Sequence, residues 1–195
     1  VRISELKRNR YGHGGIDIPT RKPPDDVTKE PWQVQGFDVY IRPSGNYKFV
    51  DLYDGEEIIA KINLWQEPDP ELYQPVPGLE VLQSEVKRWY QGRGLGIEIY
   101  KSLILNNHVN LYSAGSHSVG ARKLWVKLSN DSNLMVYATR KKLQQVALPQ
   151  QVGDELAVKG WRLYGSEGTA LVAVAAGSSA HHMLSKLVRN VVIQT

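Results

Sequence analysis

Three short runs rich in Val, Ile, Tyr and Phe follow one another early in the chain: Phe37 to Arg42, Tyr47 to Tyr53 and Glu57 to Leu64. Between them lie only Pro43-Ser44-Gly45-Asn46 and Asp54-Gly55-Glu56, short turn segments with no room for a crossover. The runs therefore read as an antiparallel meander, and the rest of the chain must complete and cover that sheet.

Beyond the meander, strands and helices alternate. After a loop carrying Pro68, Pro70, Pro75 and Pro77, Leu79 to Val86 reads as a fourth strand. Its period of two places Glu80, Leu82, Ser84 and Val86 on one face and Val81, Gln83 and Glu85 on the other. The turn Gln91-Gly92-Arg93-Gly94-Leu95-Gly96 then opens a helix over about Leu95 to Asn106, with Leu95, Ile99 and Leu103 at the spacing of one buried stripe. Val109 to Ser113 is a fifth strand. Ser118 caps a second helix with Val119, Leu124, Trp125 and Leu128 facing inward, and Leu134 to Thr139 is a sixth strand. The tail predicts a hairpin, Leu156 to Tyr164 with Ala170 to Ala176, around Gly165-Ser166-Glu167-Gly168. A last helix carries Met183, Leu184, Leu187 and Val188. The fold class is α+β, a mixed and mostly antiparallel sheet flanked by helices, with an irregular N-terminal arm and a C-terminal hairpin-helix extension.

The chain has 195 residues, 42% hydrophobic and 23% charged, which suits one folded domain and excludes a largely disordered chain or a fibre. Residues 1–35 read as the polar arm, rich in Pro, Gly and charge, and 36–195 as a single domain. There is no cysteine, so disulfides, thiolate metal sites and cysteine nucleophiles are excluded. Lys and Arg number 24 against 20 Asp and Glu, a net charge of +4 that permits an anionic partner without demanding one. The basic start (Arg2, Lys7, Arg8, Arg10) reads either as a solvated tail or as a nucleic-acid contact. The longest apolar run, Ala170 to Ala176, is far shorter than a membrane span, and Val1 to Arg8 hold no apolar signal core. A cytoplasmic protein without a membrane partner is the expectation.

The segment that carries chemistry is Leu79 to Leu128. A strand runs into a turn with three glycines, Gly92, Gly94 and Gly96, and the turn opens a helix. The first N–H groups of a helix lack internal partners and sit at the positive end of its dipole. Glycines let a phosphate approach that backbone, and Arg93 would add a mobile positive charge. The spacing is not that of a dinucleotide-binding G-x-G-x-x-G, nor is there the Lys-Ser/Thr of a P-loop. A tight turn between strand and helix is the plain structural reading of the same residues.

Gln91, Gly94 and Gly96 fit the pattern Gln/Arg-x-x-Gly-x-Gly/Ala. The run Val-Lys-Arg-Trp-Tyr-Gln-Gly-Arg-Gly-Leu-Gly from Val86 leads into it, and Ser118 to Trp125 follows at the distance of one strand and its loops. In these residues the sequence resembles the GNAT superfamily of N-acetyltransferases, closely over Leu79 to Leu128 and topologically from Phe37. The resemblance implies acetyl-CoA as co-substrate and an amine-bearing acceptor, a small molecule or a protein. It implies that backbone groups of Ser84, Glu85 and Val86 pair with the pantetheine arm. It further implies that Gln91, Gly92, Arg93, Gly94, Leu95 and Gly96 wrap the pyrophosphate, and that Ser118 and Arg122 meet the distal part of CoA. No metal is implied.

Catalysis of that kind needs a base for the attacking ammonium and allows an acid for the departing thiolate. Glu80 falls six residues before Val86, where the histone-acetyltransferase branch of the superfamily keeps its general base. Where many members carry a tyrosine acid this chain has Trp125, whose indole N–H is no practical proton source. Tyr112, Ser116, His117 or water stand in, with His117 the foremost candidate. Two other readings stay open. One is a catalytically inactive protein of this fold that binds CoA or a partner. The other is a nucleic-acid-directed acyltransferase that engages phosphates through Lys87-Arg88 and Arg140-Lys141-Lys142. His181 and His182 point to different faces of the last helix and predict no metal site. The tail extension serves as a substrate lid, a homodimer interface or plain packing.

Overall fold

The computed structural model describes residues 29–67, 73–114, 117–163 and 168–192, with Pro23 and Val27 before them; for 189–192 it describes the backbone alone. The basic start, Pro68, Pro70, Ser116 and the turn residues 165–167 lie outside the described residues. In chain order the strands are β1 Lys29–Val34, β2 Phe37–Ser44, β3 Tyr47–Asp54, β4 Glu57–Trp65, β5 Leu79–Val86, β6 Leu111–Ser113, β7 Leu134–Arg140, β8 Gln145–Ala147, β9 Gln150–Val152, β10 Glu155–Ala157 and β11 Thr169–Ala175. The helices are α1 Leu95–Leu105, α2 Val119–Ser129 and α3 Ser179–Val192. Nine strands form one sheet in the order β1-β2-β3-β4-β5-β6-β11-β7-β8. Every neighbouring pair is antiparallel except β5 and β6. The α+β class and the meander of β2, β3 and β4 are as the sequence predicts.

One face of the sheet is covered by α1 and α2. Leu95, Ile99, Tyr100, Leu103 and Ile104 of α1 are all buried against Val39, Val50, Leu52, Ile62 and Leu64 of the meander. From α2, Trp125 and Leu128 join the same core. Val119, expected to face inward, is 70% exposed; it is the first residue of α2, where the stripe that carries Trp125, Val126 and Leu128 has not yet reached the core. The other face is covered over β8 and β11 by α3. There Leu184 packs with Tyr112, Tyr137, Val146 and Val172, while Met183, also expected inward, is half exposed.

Two expectations at the ends of the chain need correction. Lys29–Val34, read as the end of an irregular arm, is an edge strand paired with β2, and its irregular register accommodates Pro31, which only an edge strand tolerates. The tail hairpin does not form. Leu156 lies in β10, which pairs with β9 in a separate small sheet. Thr169–Ala175 instead inserts between β6 and β7, with a seven-residue ladder to β7. The cause is composition: the strand is buried at all but its last residue, as suits a central position covered on both faces. No helix among the described residues is long and apolar enough to cross a membrane.

Candidate cofactor groove at a split in the sheet

β5 and β6 run in parallel register only over Leu79–Val81 and Leu111–Ser113. The β4–β5 ladder continues to Val86, so Gln83 to Val86 have β4 on one edge and no described strand on the other. The split starts from a pinned end. Leu79 N donates to the Asn110 carbonyl at 2.9 Å, and the Tyr112 hydroxyl donates to the Val76 carbonyl at 2.9 Å. Gly78 makes this approach feasible: a Cβ there would stand 2.6 Å from the Asn110 carbonyl oxygen.

Simple alternation along β5 fails at Leu82. Asn63 pairs with Gln83 and Leu64 with Val81, so Leu82 is an extra residue and the parity of the strand inverts across it. Val81, Ser84 and Val86 consequently share the α1 face with Leu64, Ile62 and Ala60. Tyr100 of α1 is buried beneath this face, and burial raises the pKa of its hydroxyl. Glu80, Gln83 and Glu85 lie on the opposite face with Trp65, Asn63 and Lys61. Glu80, expected beside Ser84 and Val86, is thus across the sheet from them, 4% exposed. Glu85 accepts a hydrogen bond from the Gln83 amide.

Beyond β5 a single 3-10 turn, Arg88–Tyr90, leads into the glycines. Gly94 is the N-cap of α1 at φ 81°, a left-handed conformation that a side chain resists, and no side chain caps the helix. The hydrogen bonds the protein makes at this corner consume carbonyls. The Gln91 amide donates to the Val86 carbonyl at 2.9 Å, and the Gln35 amide donates to the Arg93 carbonyl at 2.9 Å. Acceptors are tied back while the helix-start amides stay open, which is the polarity an anion requires.

A groove of about 290 Å³ lies over these amides. Val86, Gln91, Gly92, Gly94, Leu95 and Gly96 lie in its wall, with Tyr90, Ile97, Gly120, Lys123, Leu124 and Lys127. Three residues expected at the cofactor are engaged elsewhere. The Arg93 guanidinium lies 5.1 Å from the centre of the Tyr90 ring. Arg122 is paired with Glu155 of β10. The Ser118 hydroxyl accepts from Ala121 N at 3.2 Å, as the cap of α2. The cations that do face the glycine turn are Lys123, 3.2 Å from Asp154, and Lys127. With Gly120 and Leu124 they form one i, i+3, i+4, i+7 stripe of α2, a spacing visible in the sequence.

His117 lies at the other margin of the split. Its Nε2 is 2.8 Å from the Ala114 carbonyl oxygen; a carbonyl only accepts, so that nitrogen carries the proton. The ring stacks on Trp125 at 6.2 Å, and Trp125 meets Tyr100 edge-on at 6.4 Å. Burial pulls the His117 pKa down to about 4, with Arg122 adding to the effect and the Ala114 hydrogen bond opposing it. Burial therefore disfavours the imidazolium form that an acid role for His117 would use. Tyr112 does not replace it, since burial raises its pKa and its hydroxyl already serves Val76. Among the described residues no cluster of His, Asp or Glu is arranged to hold a metal.

No protein-family model matches the sequence, and no curated protein matches it. Among solved structures the chain is similar to the ribosomal-protein-S18-alanine N-acetyltransferase from Escherichia coli, at 14% identity over 70% of this chain and 74% of that one, with a TM-score of 0.37. It is similar to a GNAT family acetyltransferase from Elizabethkingia anophelis with acetyl-CoA bound, at 15% identity over 78% and 99% of the two chains, TM-score 0.37. The IAA acetyltransferase from Bacillus cereus stands at 13% identity over 76% and 99%, also at TM-score 0.37.

Proposed function

We propose that this protein transfers an acetyl group from acetyl-CoA to an amine by direct attack on the thioester. The observation that carries this reading is the coincidence of two openings, uncapped amides at the start of α1 and a free strand edge at Gln83 to Val86. A diphosphate fits the first, with Lys123 and Lys127 opposite it. An extended, amide-bearing arm fits the second, because an unpaired strand edge bonds to whatever extended chain lies along it. Acetyl-CoA has both parts, and the groove and the edge meet at Val86.

With the thioester held there, a backbone N–H of the free edge stabilises the oxygen that gains charge as the amine attacks. The C–N bond forms, the C–S bond breaks and the thiolate leaves, taking its proton from water. The ammonium of the acceptor must first lose a proton, and Glu80 is the carboxylate we assign to that step, from the face opposite α1. Positioning supplies most of the remaining acceleration.

A second reading has a specific observation in its favour. Trp125 is 3% exposed and His117 is neutral, so a CoA-binding protein without catalysis would show the same pair. The nucleic-acid-directed reading has less support, because Lys87 is paired with Glu57 at 2.6 Å and Arg140 packs over the Trp161 ring.

The test combines calorimetry with CoA and thiol release from acetyl-CoA over a panel of amines, proteins and nucleic acids. Micromolar binding together with thiol release on one class of acceptor is expected, and Glu80→Gln should lower kcat by roughly 100-fold with CoA affinity unchanged. Binding without release on any acceptor would select the inactive reading. No binding would overturn both.

A further inference from the structure

Immediately before the groove the chain presents Trp89, 81% exposed, the most exposed of the large apolar side chains described. Its neighbour Tyr90 is fully committed. The Tyr90 ring meets Phe37 edge-on at 5.8 Å, its hydroxyl donates to Asp54 at 2.7 Å and the Arg93 guanidinium covers one face. Among the described residues Trp89 makes no such ring contact, and it sits in the 3-10 turn whose Tyr90 lines the groove. Arg88 precedes it in sequence, and the ion pairs of the described residues do not involve Arg88. A Trp exposed to this degree contributes little burial to the fold.

The size of the groove says what such a residue would meet. At about 290 Å³ it sits at the small end of ligand pockets, which run to roughly 1,000 Å³. Phosphates and a sugar are enough to fill a groove of that size, and a purine attached to them would reach its lip. An exposed indole offers such a base a face on which to stack.

We infer that Trp89 is the platform on which the purine of a nucleotide stacks while its phosphates occupy the groove. The inference rests on the cofactor reading and deepens it: the protein recognises the nucleotide part of CoA as well as its phosphates and arm.

The experiment is calorimetry of the wild type, Trp89→Ala and Trp89→Phe with CoA, ADP and 4′-phosphopantetheine, which lacks the nucleotide. Trp89→Ala should weaken CoA and ADP on the order of tenfold, leave phosphopantetheine unchanged, and lose little stability because the site is exposed. Trp89→Phe, which keeps a stacking face, should recover most of the affinity. CoA should also quench tryptophan fluorescence in the wild type more than in Trp89→Phe. Equal binding of CoA by wild type and Trp89→Ala would overturn the platform and leave the cofactor reading standing. An equal loss for phosphopantetheine would assign Trp89 to shaping the groove and overturn the platform too. Failure of the wild type to bind CoA would overturn both readings.

Discussion

The two halves of β5 differ in what holds them. Glu80 and Val81 are paired with β4 on one edge and β6 on the other, whereas Gln83 to Val86 are paired with β4 alone. Leu82 is the bulge that divides them. In the first half backbone groups are consumed by the fold and side chains are buried. In the second half the edge away from β4 has no described strand beside it, the Val86 carbonyl accepts from Gln91, and the groove begins. The same strand thus serves as clamp and as docking edge, and the clamp fixes where the docking edge can be. Stability and binding should respond to different residues along eight consecutive positions.

The largest effect should come from breaking the clamp. In Gly78→Ala the new Cβ would stand 2.6 Å from the Asn110 carbonyl oxygen and 2.8 Å from the Tyr112 ring. Neither can give way easily, since Asn110 accepts from Leu79 N and Tyr112 is fully buried with its hydroxyl bonded. Denaturant unfolding should show a loss of about 3 kcal/mol. A loss below about 0.5 kcal/mol would mean that the parallel pairing is not what fixes the split.

Next in size is a pH effect on the far margin of the split, where His117 ties the chain leaving β6 back to Ala114. Its pKa is lowered from 6.5 to about 4 by burial. Between those values the unfolded chain binds a proton that the folded one refuses, so stability falls as pH drops from 6.5 toward 4 and levels off below. The part-exposed ring warrants a discounted figure, on the order of 2 kcal/mol. His117→Gln should flatten that segment of the pH–stability curve; an unchanged slope would show that the ring is not held neutral.

How much of this was readable in advance divides along the same line between local and non-local causes. The stripe Leu95, Ile99 and Leu103 comes from helical period alone, and the strand, glycine turn and helix from Leu79 to Leu105 come from residues adjacent in sequence. The bulge at Leu82 does not, because two residues oppose one only relative to β4, and no period within β5 records it. The placement of β11 between β6 and β7 is hidden for the same reason: its apolar run demanded burial, but its partners lie dozens of residues away. Lys123 and Lys127 are a different kind of miss. Their spacing with Gly120 was legible, and the hidden part was the packing of α2 beside the turn that aims that stripe at the groove.

The smallest effect, and the one that discriminates most finely, separates those two lysines. Both line the groove, yet Lys123 has Asp154 within 3.2 Å while no ion pair of the described residues involves Lys127. A cation already balanced by a carboxylate offers less to an incoming phosphate, because the new attraction replaces an old one. Lys127→Ala should therefore weaken CoA by about fivefold, on the order of 1 kcal/mol, and Lys123→Ala by less. Raising the salt should shrink both differences, since the contacts are solvent-facing and screened. Neither change should move the unfolding midpoint much, in contrast to Gly78→Ala at the other end of β5. Calorimetry in which Lys123→Ala costs more than Lys127→Ala would show that Asp154 releases its lysine to the ligand. No loss in either variant would confine recognition to the backbone of the glycine turn and leave α2 as packing alone.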